Sequence, residues 1–228
     1  SNKVSMDVLH REITSLKEKD LIFFANELHS SLNDISTLGF LLSQDIHIQK
    51  IRTLHLLDNN YERYSEKLRI LERLQLLNAA GKWDTQFSII SPENGEMVST
   101  SSSMSAFDME LIKQRFSPNW GFRTAKHKSL GFEDVRYFRH LVQPQIDGLP
   151  LARAGLIVEI SFSQDELIRD LDAFKLGGNG DPFLISPDGR IVPNSSSNPI
   201  LTEAVANLLM DGPITQYENQ IVQLAARM

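Results

Sequence analysis

The sequence of 228 residues contains no cysteine. Disulfide bonds, thiolate zinc sites and cysteine nucleophiles are therefore excluded, although the lack of thiols fits oxidising and reducing compartments equally. No stretch approaches the roughly 18 consecutive apolar residues of a membrane-spanning helix, and the start of the chain lacks the basic and apolar regions of a secretion signal. The net charge of −6 disfavours nucleic acid as a partner, because binding phosphates requires clustered positive charge.

Proline and glycine are scarce in the first third of the chain. Residues 4–78 include no proline and a single glycine, Gly39, which predicts two long helices with a break between Ser43 and His47. Apolar or small residues recur in steps of three and four, which indicates one buried stripe on each helix. The stripes are Leu21, Ala25, Leu28, Leu32, Ile35, Gly39, Leu42 and Ile46 in the first helix, and Leu57, Tyr61, Tyr64, Leu68 and Leu71 in the second.

Helices of this length are typical of a coiled coil, of a rod laid across other domains, or of an ordinary helical hairpin. The apolar residues before Lys17 do not continue the stripe of the first helix, because they lie in a different phase of the helical repeat. We therefore expect this segment to project beyond the folded body as a stalk. The chain opens with Ser1-Asn2 inside this helical pattern. We interpret it as a fragment of a longer protein.

One short motif occurs twice. Residues 87–103 read FSIISPENGEMVSTSSS and residues 183–197 read FLISPDGRIVPNSSS. Each copy predicts a β-hairpin, because proline presets φ in the turn and Gly95 or Gly189 can adopt the positive φ that closes it. An isolated hairpin cannot bury its apolar face, so the repeat indicates two modules in tandem.

The order of predicted elements after Gly81 indicates an α+β fold. The first hairpin is followed by a helix over residues 106–116, capped by Ser105, and by strands over 120–127, 135–142 and 154–162. Together they form a five-stranded antiparallel sheet of the PAS-like type, backed by the long N-terminal helices. A helix capped by Ser163, the second hairpin, a helix from Pro199 and a strand from Ile214 follow, and the chain ends too early for a second full sheet. We therefore expect an incomplete, truncated second PAS-like module.

Four segments carry a resemblance to a known family: SSLNDISTLGFLLSQD at residues 30–45, FSIISPENGEMV at 87–98, RAGLIVEISFSQDELIRDL at 153–171 and FLISPDGRIV at 183–192. The arrangement resembles the double Cache extracellular sensing region of bacterial transmembrane receptors, most of all sensor histidine kinases of Gram-positive bacteria. The resemblance implies backing helices at residues 1–82, a membrane-distal module at 83–162, a connecting helix and glycine-rich linker at 163–180, and a membrane-proximal module at 181–228.

The same resemblance implies a function outside the cell. We expect a domain on the extracellular face of the membrane that binds a small ligand or a solute-binding protein, within a receptor that is membrane-anchored and homodimeric. The same input region on a chemoreceptor or on a membrane-tethered transcription regulator is an alternative. A pocketless extracellular module for protein interaction is another.

Aromatic and cationic residues are interleaved between residues 120 and 140. On strands, residues 136, 138 and 140 share one face and residues 137 and 139 share the other. Aromatic side chains beside a guanidinium can bind a small anionic or hydroxylated ligand, because the rings stack on its apolar part and the guanidinium donates to its oxygens. The alternative is that the aromatic residues fill the core of the sheet and the cationic residues are solvated. The family resemblance implies a pocket on this side of the distal sheet. The candidate ligand-binding residues are Trp120, Arg123, Arg136, Tyr137, Phe138 and His140.

No pattern indicates catalysis or a cofactor. None of the six histidines forms an i, i+4 pair; His127 and His140 lie on strands that we expect to be neighbours, but solvated or core-edge histidine is the commoner fate. The glycine-rich residues 177–180 precede a strand, so they cannot present the amides of a helix N-terminus to a phosphate. Nucleophile-elbow, Walker and kinase nucleotide motifs are lacking. We expect no enzymatic activity, metal or cofactor in this chain.

Overall fold

A computed structural model describes residues 2–101, 107–126, 133–178, 180–185 and 190–210. The chain divides into two compact units, Ser31–Gln164 and the combination of Ser1–Ser30 with Asp165–Met228. The division at Gln164 lies two residues beyond the predicted end of the distal module. The predicted four-part domain division itself stays a prediction.

The N-terminal part is helical. Helix α1 spans Asn2–Gln44, the short helix α2 spans Ile46–Gln49, a 3₁₀ helix spans Lys50–Leu56, and helix α3 spans Asn60–Ala79. The backbone of α1 continues from Asn2 without a break, so the residues before Lys17 belong to the same helix as those after it. The predicted break is confirmed, since only Asp45 separates α1 from α2.

A five-stranded antiparallel sheet forms the centre of the Ser31–Gln164 unit, which confirms the predicted α+β class. Its strand order is β2-β1-β5-β4-β3, so β5 lies in the middle. Helix α4 covers Met109–Arg115, and a 3₁₀ helix covers Leu151–Arg153 before β5. The strands are β1 Thr85–Ser91, β2 Glu96–Ser99, β3 Gly121–Lys126, β4 Glu133–Gln143 and β5 Leu156–Ser163.

One face of this sheet packs against the helices, and we call it the helix face. Its central residues, Val158 and Ile160, are fully buried in the main hydrophobic core. Residues of α1, α2, the first 3₁₀ helix and α3 complete this core: Leu42, Ile48, Ile51, Leu54, Ile70 and Leu74. The close approach of α1 depends on Gly39, because a Cβ there would overlap Ile160 and lie 3.1 Å from Cδ1 of Leu141.

The predicted stripe of α1 is confirmed in its middle and wrong at two positions. Leu28, Ile35 and Leu42 are buried, whereas Ala25 is exposed and Ile46 is 75% exposed. Ile46 differs because the helix ends before it and α2 starts a new direction.

The predicted stripe of α3 is wrong in most of its length. Tyr61 and Tyr64 are 76% and 61% exposed and Leu68 is 39% exposed, while the buried residues of α3 are Ile70 and Leu74. Two apolar stripes fit the sequence of α3, and only its docking against the sheet selects between them.

Asp45 fixes the turn between α1 and α2. Its carboxylate accepts hydrogen bonds from the backbone of His47 at 2.8 Å and of Ile48 at 3.4 Å, which caps α2. The same carboxylate accepts a hydrogen bond from Nε of Arg73 at 2.6 Å and so connects the turn to α3. Burial acts to raise the pKa of Asp45, but these hydrogen bonds and the charge of Arg73 hold it below its ordinary value.

Both predicted hairpins are present. In the first, β1 pairs with β2 and Gly95 has φ of +69°, as the turn requires. The second pairs β6 Phe183–Ile185 with β7 Ile191–Pro193 in a two-stranded sheet, while its turn glycine, Gly189, lies outside the described residues.

The two-stranded sheet lies in the other unit, with helix α5 Gln164–Leu176 and helix α6 Pro199–Met210. Lys175 at the end of α5 donates hydrogen bonds to Asp181, Asn194 and the carbonyl of Ser196, at 3.0, 3.2 and 2.9 Å. Asp181 also accepts the backbone N–H of Asn198 at 2.7 Å. This network of buried polar groups holds the base of the second hairpin. The strand predicted from Ile214 lies outside the described residues.

Helix α4 differs from its prediction at the N-terminus. It begins at Met109 and is capped by Asp108, whose carboxylate accepts the N–H of Glu110 at 3.0 Å and of Leu111 at 3.2 Å. The predicted cap, Ser105, lies outside the described residues. Helix α5 ends at Leu176 and α6 begins at Pro199, and both of these predictions are confirmed.

Replacing Gly39 by alanine tests the packing of α1 on the sheet. The added methyl group collides with Ile160, so we expect Gly39→Ala to lower the free energy of unfolding by about 1–3 kcal/mol, despite the better helix propensity of alanine. Urea denaturation measures this. The control is Asn33→Ala at an exposed position of α1, which should change the stability by less than about 0.5 kcal/mol. Adding Ile160→Val should reduce the cost of Gly39→Ala; equal costs in both backgrounds would contradict this contact.

Candidate functional site

The face of the sheet opposite the helices combines polar and apolar residues, and we call it the open face. The register places Ser88 beside Glu159 and Glu159 beside His140, and the next row joins Ser161 to Phe138. Because side chains alternate along a strand, all of these point to the same side. Ser88, His140, Glu159 and Ser161 are each at most 3% exposed.

Glu159 lies at the centre of the open face and is bound from both sides. Arg123 on β3 donates two hydrogen bonds to its carboxylate, at 2.5 and 3.2 Å. Nε2 of His140 on β4 lies 3.0 Å from the second carboxylate oxygen. Strand β5 therefore carries a buried ion pair in the middle of the sheet.

The hydrogen bonds of His140 define its tautomer. Nδ1 accepts the backbone N–H of Ser117 at 3.0 Å, so the proton is on Nε2 and is donated to Glu159. The backbone N–H of His140 in turn donates to the carbonyl of Ser117 at 2.7 Å. The segment that joins α4 to β3 thus holds the imidazole ring in place.

The charge of Glu159 follows from these neighbours. Burial acts to raise the pKa of its carboxyl, but the hydrogen bonds from His140 and Arg123, with the positive charge of Arg123, hold the pKa at about 2. Glu159 is therefore ionised at every physiological pH, and its charge is balanced by Arg123.

Aromatic rings surround this ion pair. The guanidinium of Arg123 lies over the ring of Phe138, 5.0 Å from its centroid. The imidazole of His140 stacks on Phe116 at 5.2 Å and meets the edge of Phe138 at 5.6 Å. Of the aromatic residues predicted for the site, Phe138 lies beside this ion pair, and Phe116, which lies before the predicted stretch, is the second ring.

Two of the six predicted site residues lie elsewhere. Trp120 and Tyr137 point to the helix face, where both pack against Phe162 at 5.3 and 5.4 Å between ring centroids. Trp83 packs on the same ring at 4.7 Å. The structure therefore brings together Arg123, Arg136, Phe138 and His140, and it places Trp120 and Tyr137 with the core.

Arg136 is the fourth of these residues and has a different environment. It lies directly across from Arg123 on β3 and from Ser163 on β5. Its Nε is buried and has no hydrogen-bond partner among the residues that the structure describes. Burial lowers the pKa of Arg136, and Arg123 lowers it further, while Asp134 acts in the opposite direction.

The remainder of the open face is apolar and packed. Ile90 and Ile157 form a small core with Ile112 of α4 and with Ala154. Beside it, a cleft of about 580 Å³ is lined by His140, Phe116 and the loop that follows β4. The open face therefore divides into a part closed by α4 and a polar part around Glu159.

Sequence reasoning missed Glu159, which is the centre of the polar part. A signal existed, because Glu159 is the one charged residue in β5, LIVEISFS, all of whose residues except the last are buried. A carboxylate inside such a strand requires a cationic partner from a neighbouring strand.

Among the described residues, no group of histidine and carboxylate side chains is arranged to hold a metal ion. In the same part of the chain, none of the helices combines the length and the apolar composition needed to cross a membrane. Neither the models of protein families nor the curated proteins include a match to this chain.

The acid dependence of stability tests the charge state of Glu159. The ordinary pKa of a glutamate is 4.5 and the folded value is about 2, so the stability that Glu159 contributes is present above pH 4.5 and is lost as the pH falls towards 2. At pH 7 we expect Glu159→Gln to lower the free energy of unfolding by about 3 kcal/mol, because Arg123 loses its partner.

Urea denaturation of both proteins between pH 7 and pH 2.5 measures the difference. The gap between wild type and Glu159→Gln should shrink below pH 4.5, while Asp181, whose pKa is also about 2, titrates in both proteins alike. Glu110→Gln is the control, since the side chain of Glu110 is 75% exposed and should contribute little. A gap that stays constant to pH 2.5 would contradict the ion pair.

Proposed function

We propose that this chain is the extracellular signal-sensing region of a membrane receptor, of the kind found in two-component sensor histidine kinases. The polar part of the open face binds a small ligand or responds to a partner such as a solute-binding protein, and it performs no catalysis. One observation carries the proposal: Glu159 and His140 are buried in the middle of a sheet face, and the half-buried Arg123 pairs with Glu159 there. Replacing buried ion pairs by apolar residues is often neutral or stabilising, so a need beyond stability would explain this cluster.

The chain also offers a route by which binding can be transmitted. Glu159 lies on β5, which ends at Ser163, and α5 begins at the next residue. A ligand that changes the position of β5 therefore acts on α5 directly through the backbone. A small difference in affinity for two positions of these elements is sufficient to bias a receptor between two states.

A ligand screen tests direct sensing. We expect at least one compound among amino acids, organic acids, sugars and short peptides to raise the melting temperature of the purified chain. Phe138→Leu should weaken its binding about tenfold, because the ring that supports Arg123 is lost. Phe122→Leu is the matched control, since Phe122 lies on β3 and points to the helix face. Direct sensing is wrong if no compound binds and the intact receptor signals normally with Phe138→Leu and Glu159→Gln.

A pocketless interaction module is the second candidate function, and the outer surface of α3 favours it. Tyr61, Tyr64 and Leu68 recur at helical spacing and are 76%, 61% and 39% exposed. Aromatic side chains that remain exposed along one face of a helix are typical of protein interfaces.

Substituting this surface distinguishes the two functions. If a protein partner binds α3, Tyr61→Ser combined with Tyr64→Ser should abolish signalling in the intact receptor without lowering the melting temperature of the purified chain. Phe138→Leu should then leave signalling unchanged. The reverse pattern would exclude the interaction module and favour ligand sensing.

A further inference from the structure

Strand β2 forms one edge of the five-stranded sheet and pairs only with β1 in the part of the chain that the structure describes. The hydrogen bonds of an antiparallel pair join every second residue, and the backbone N–H of Thr100 donates to the carbonyl of Phe87 at 2.9 Å. Val98, two residues before Thr100, pairs with β1 in the same way. Met97 and Ser99 therefore direct their N–H and C=O groups away from β1, towards the outer edge of the sheet.

Helix α3 lies above this edge. Nζ of Lys67 forms an ion pair with the carboxylate of Glu96 at the start of β2, and α3 contacts both β1 and β2. Residues three and four positions apart are neighbours on a helix, so Tyr64 and Leu71 flank Lys67 on the same side of α3. Leu68 is a neighbour of both by the same rule. We call Tyr64, Leu68 and Leu71 the α3 ledge.

The α3 ledge is apolar and accessible from outside the sheet. Tyr64 is 61% exposed, Leu68 is 39% exposed, and Leu71 is half-buried against the main core. A strand added to the sheet lies about 4.8 Å beyond β2, and a helix with its side chains is about 10 Å wide. A helix above β1 and β2 therefore reaches over the position of an added strand. The side chains of that strand on the helix face would contact the α3 ledge.

We propose that the edge of β2 and the α3 ledge bind an extended segment of a partner protein as a sixth strand of the sheet. The backbone of the segment pairs with Met97 and Ser99, and its apolar side chains at every second position contact the ledge. The outward backbone groups select a strand, because a helix uses its own N–H and C=O groups internally. This inference rests on the interaction module, the second candidate function, and specifies the form of its partner.

A second copy of this chain fits the edge less well. Antiparallel pairing of β2 with the β2 of another copy requires a two-fold axis perpendicular to the sheet. Such an axis reverses every direction in the plane of the sheet, including that of α1, which packs along the helix face. In the receptor proposed above, the α1 helices of two copies in one membrane point in the same direction. The edge of β2 is therefore left for a different protein.

A displayed library of random heptapeptides, selected on the purified chain, tests the proposal. We expect the enriched peptides to carry apolar residues at alternate positions. The tightest binder is then synthesised with single N-methylated amides, and fluorescence polarisation measures the affinity of each version. Binding should be lost at every second position of methylation, because only alternate N–H groups of an added strand face β2. This measurement requires no variant of the chain.

Two matched pairs of variants locate the binding. Met97→Pro removes an outward N–H, which an edge strand tolerates, and should weaken peptide binding about tenfold, whereas Met97→Ala keeps the N–H and should change it less than about twofold. Leu68→Ser should also weaken binding about tenfold. Its control is Leu76→Ser, because Leu76 is 73% exposed and lies nine positions after Lys67, on the opposite side of α3. The melting temperature of each variant shows that it is folded.

The possible results separate this inference from the interaction module itself. Enriched peptides with apolar residues at helical spacing, dependent on Leu68 but not on Met97, would overturn strand addition and leave the module standing. A dimer of the purified chain that Met97→Pro dissociates, measured by light scattering, would show that a second copy occupies the edge and would also overturn it. So would the absence of any enriched peptide that depends on Leu68. If an alternating peptide binds as expected but the intact receptor signals normally with Leu68→Ser, the strand site stands and the interaction module fails as the function.

Discussion

The central position of β5 is the constraint on which the larger unit depends. This strand pairs with β1 on one side and with β4 on the other, so its alternate side chains define both faces of the sheet. Val158 and Ile160 build the core against the helices, whereas Ile157 and Glu159 face the other way. A shift of the register by one residue would move Glu159 into the apolar core, and therefore the charge itself helps to fix the register.

The two faces of the sheet are held together by different interactions. On the helix face, close packing dominates, and the absence of a side chain at Gly39 lets α1 approach Ile160. On the open face, hydrogen bonds and charge dominate, because Glu159 accepts donors from two neighbouring strands. An apolar face contributes stability without selecting a ligand, whereas directed polar groups can do so. The proposed sensing function therefore depends on the polar open face, while the apolar helix face supplies stability.

Local chemistry made much of the fold predictable. The Ser-Pro and glycine pattern of the hairpins, with positive φ at Gly95, and the break near Asp45 depend on residues close in sequence. The buried side of α3 was not predictable, because Tyr61 and Leu68 form as good a stripe as Ile70 and Leu74 do. Helical periodicity identifies possible faces, but only the partner surface decides which of them is buried.

The candidate site divides in the same way. By itself the sequence determined the α+β class, the two hairpins and the alternation that puts Arg136, Phe138 and His140 on one face, because these follow from local turn chemistry and the two-residue period of a strand. Only the tertiary structure decided that Glu159 joins Arg123 and His140, that Trp120 and Tyr137 pack on Phe162, and that Arg136 keeps an unpaired donor. These contacts join strands distant in sequence, and their partners are set by strand order and register, which no local pattern specifies.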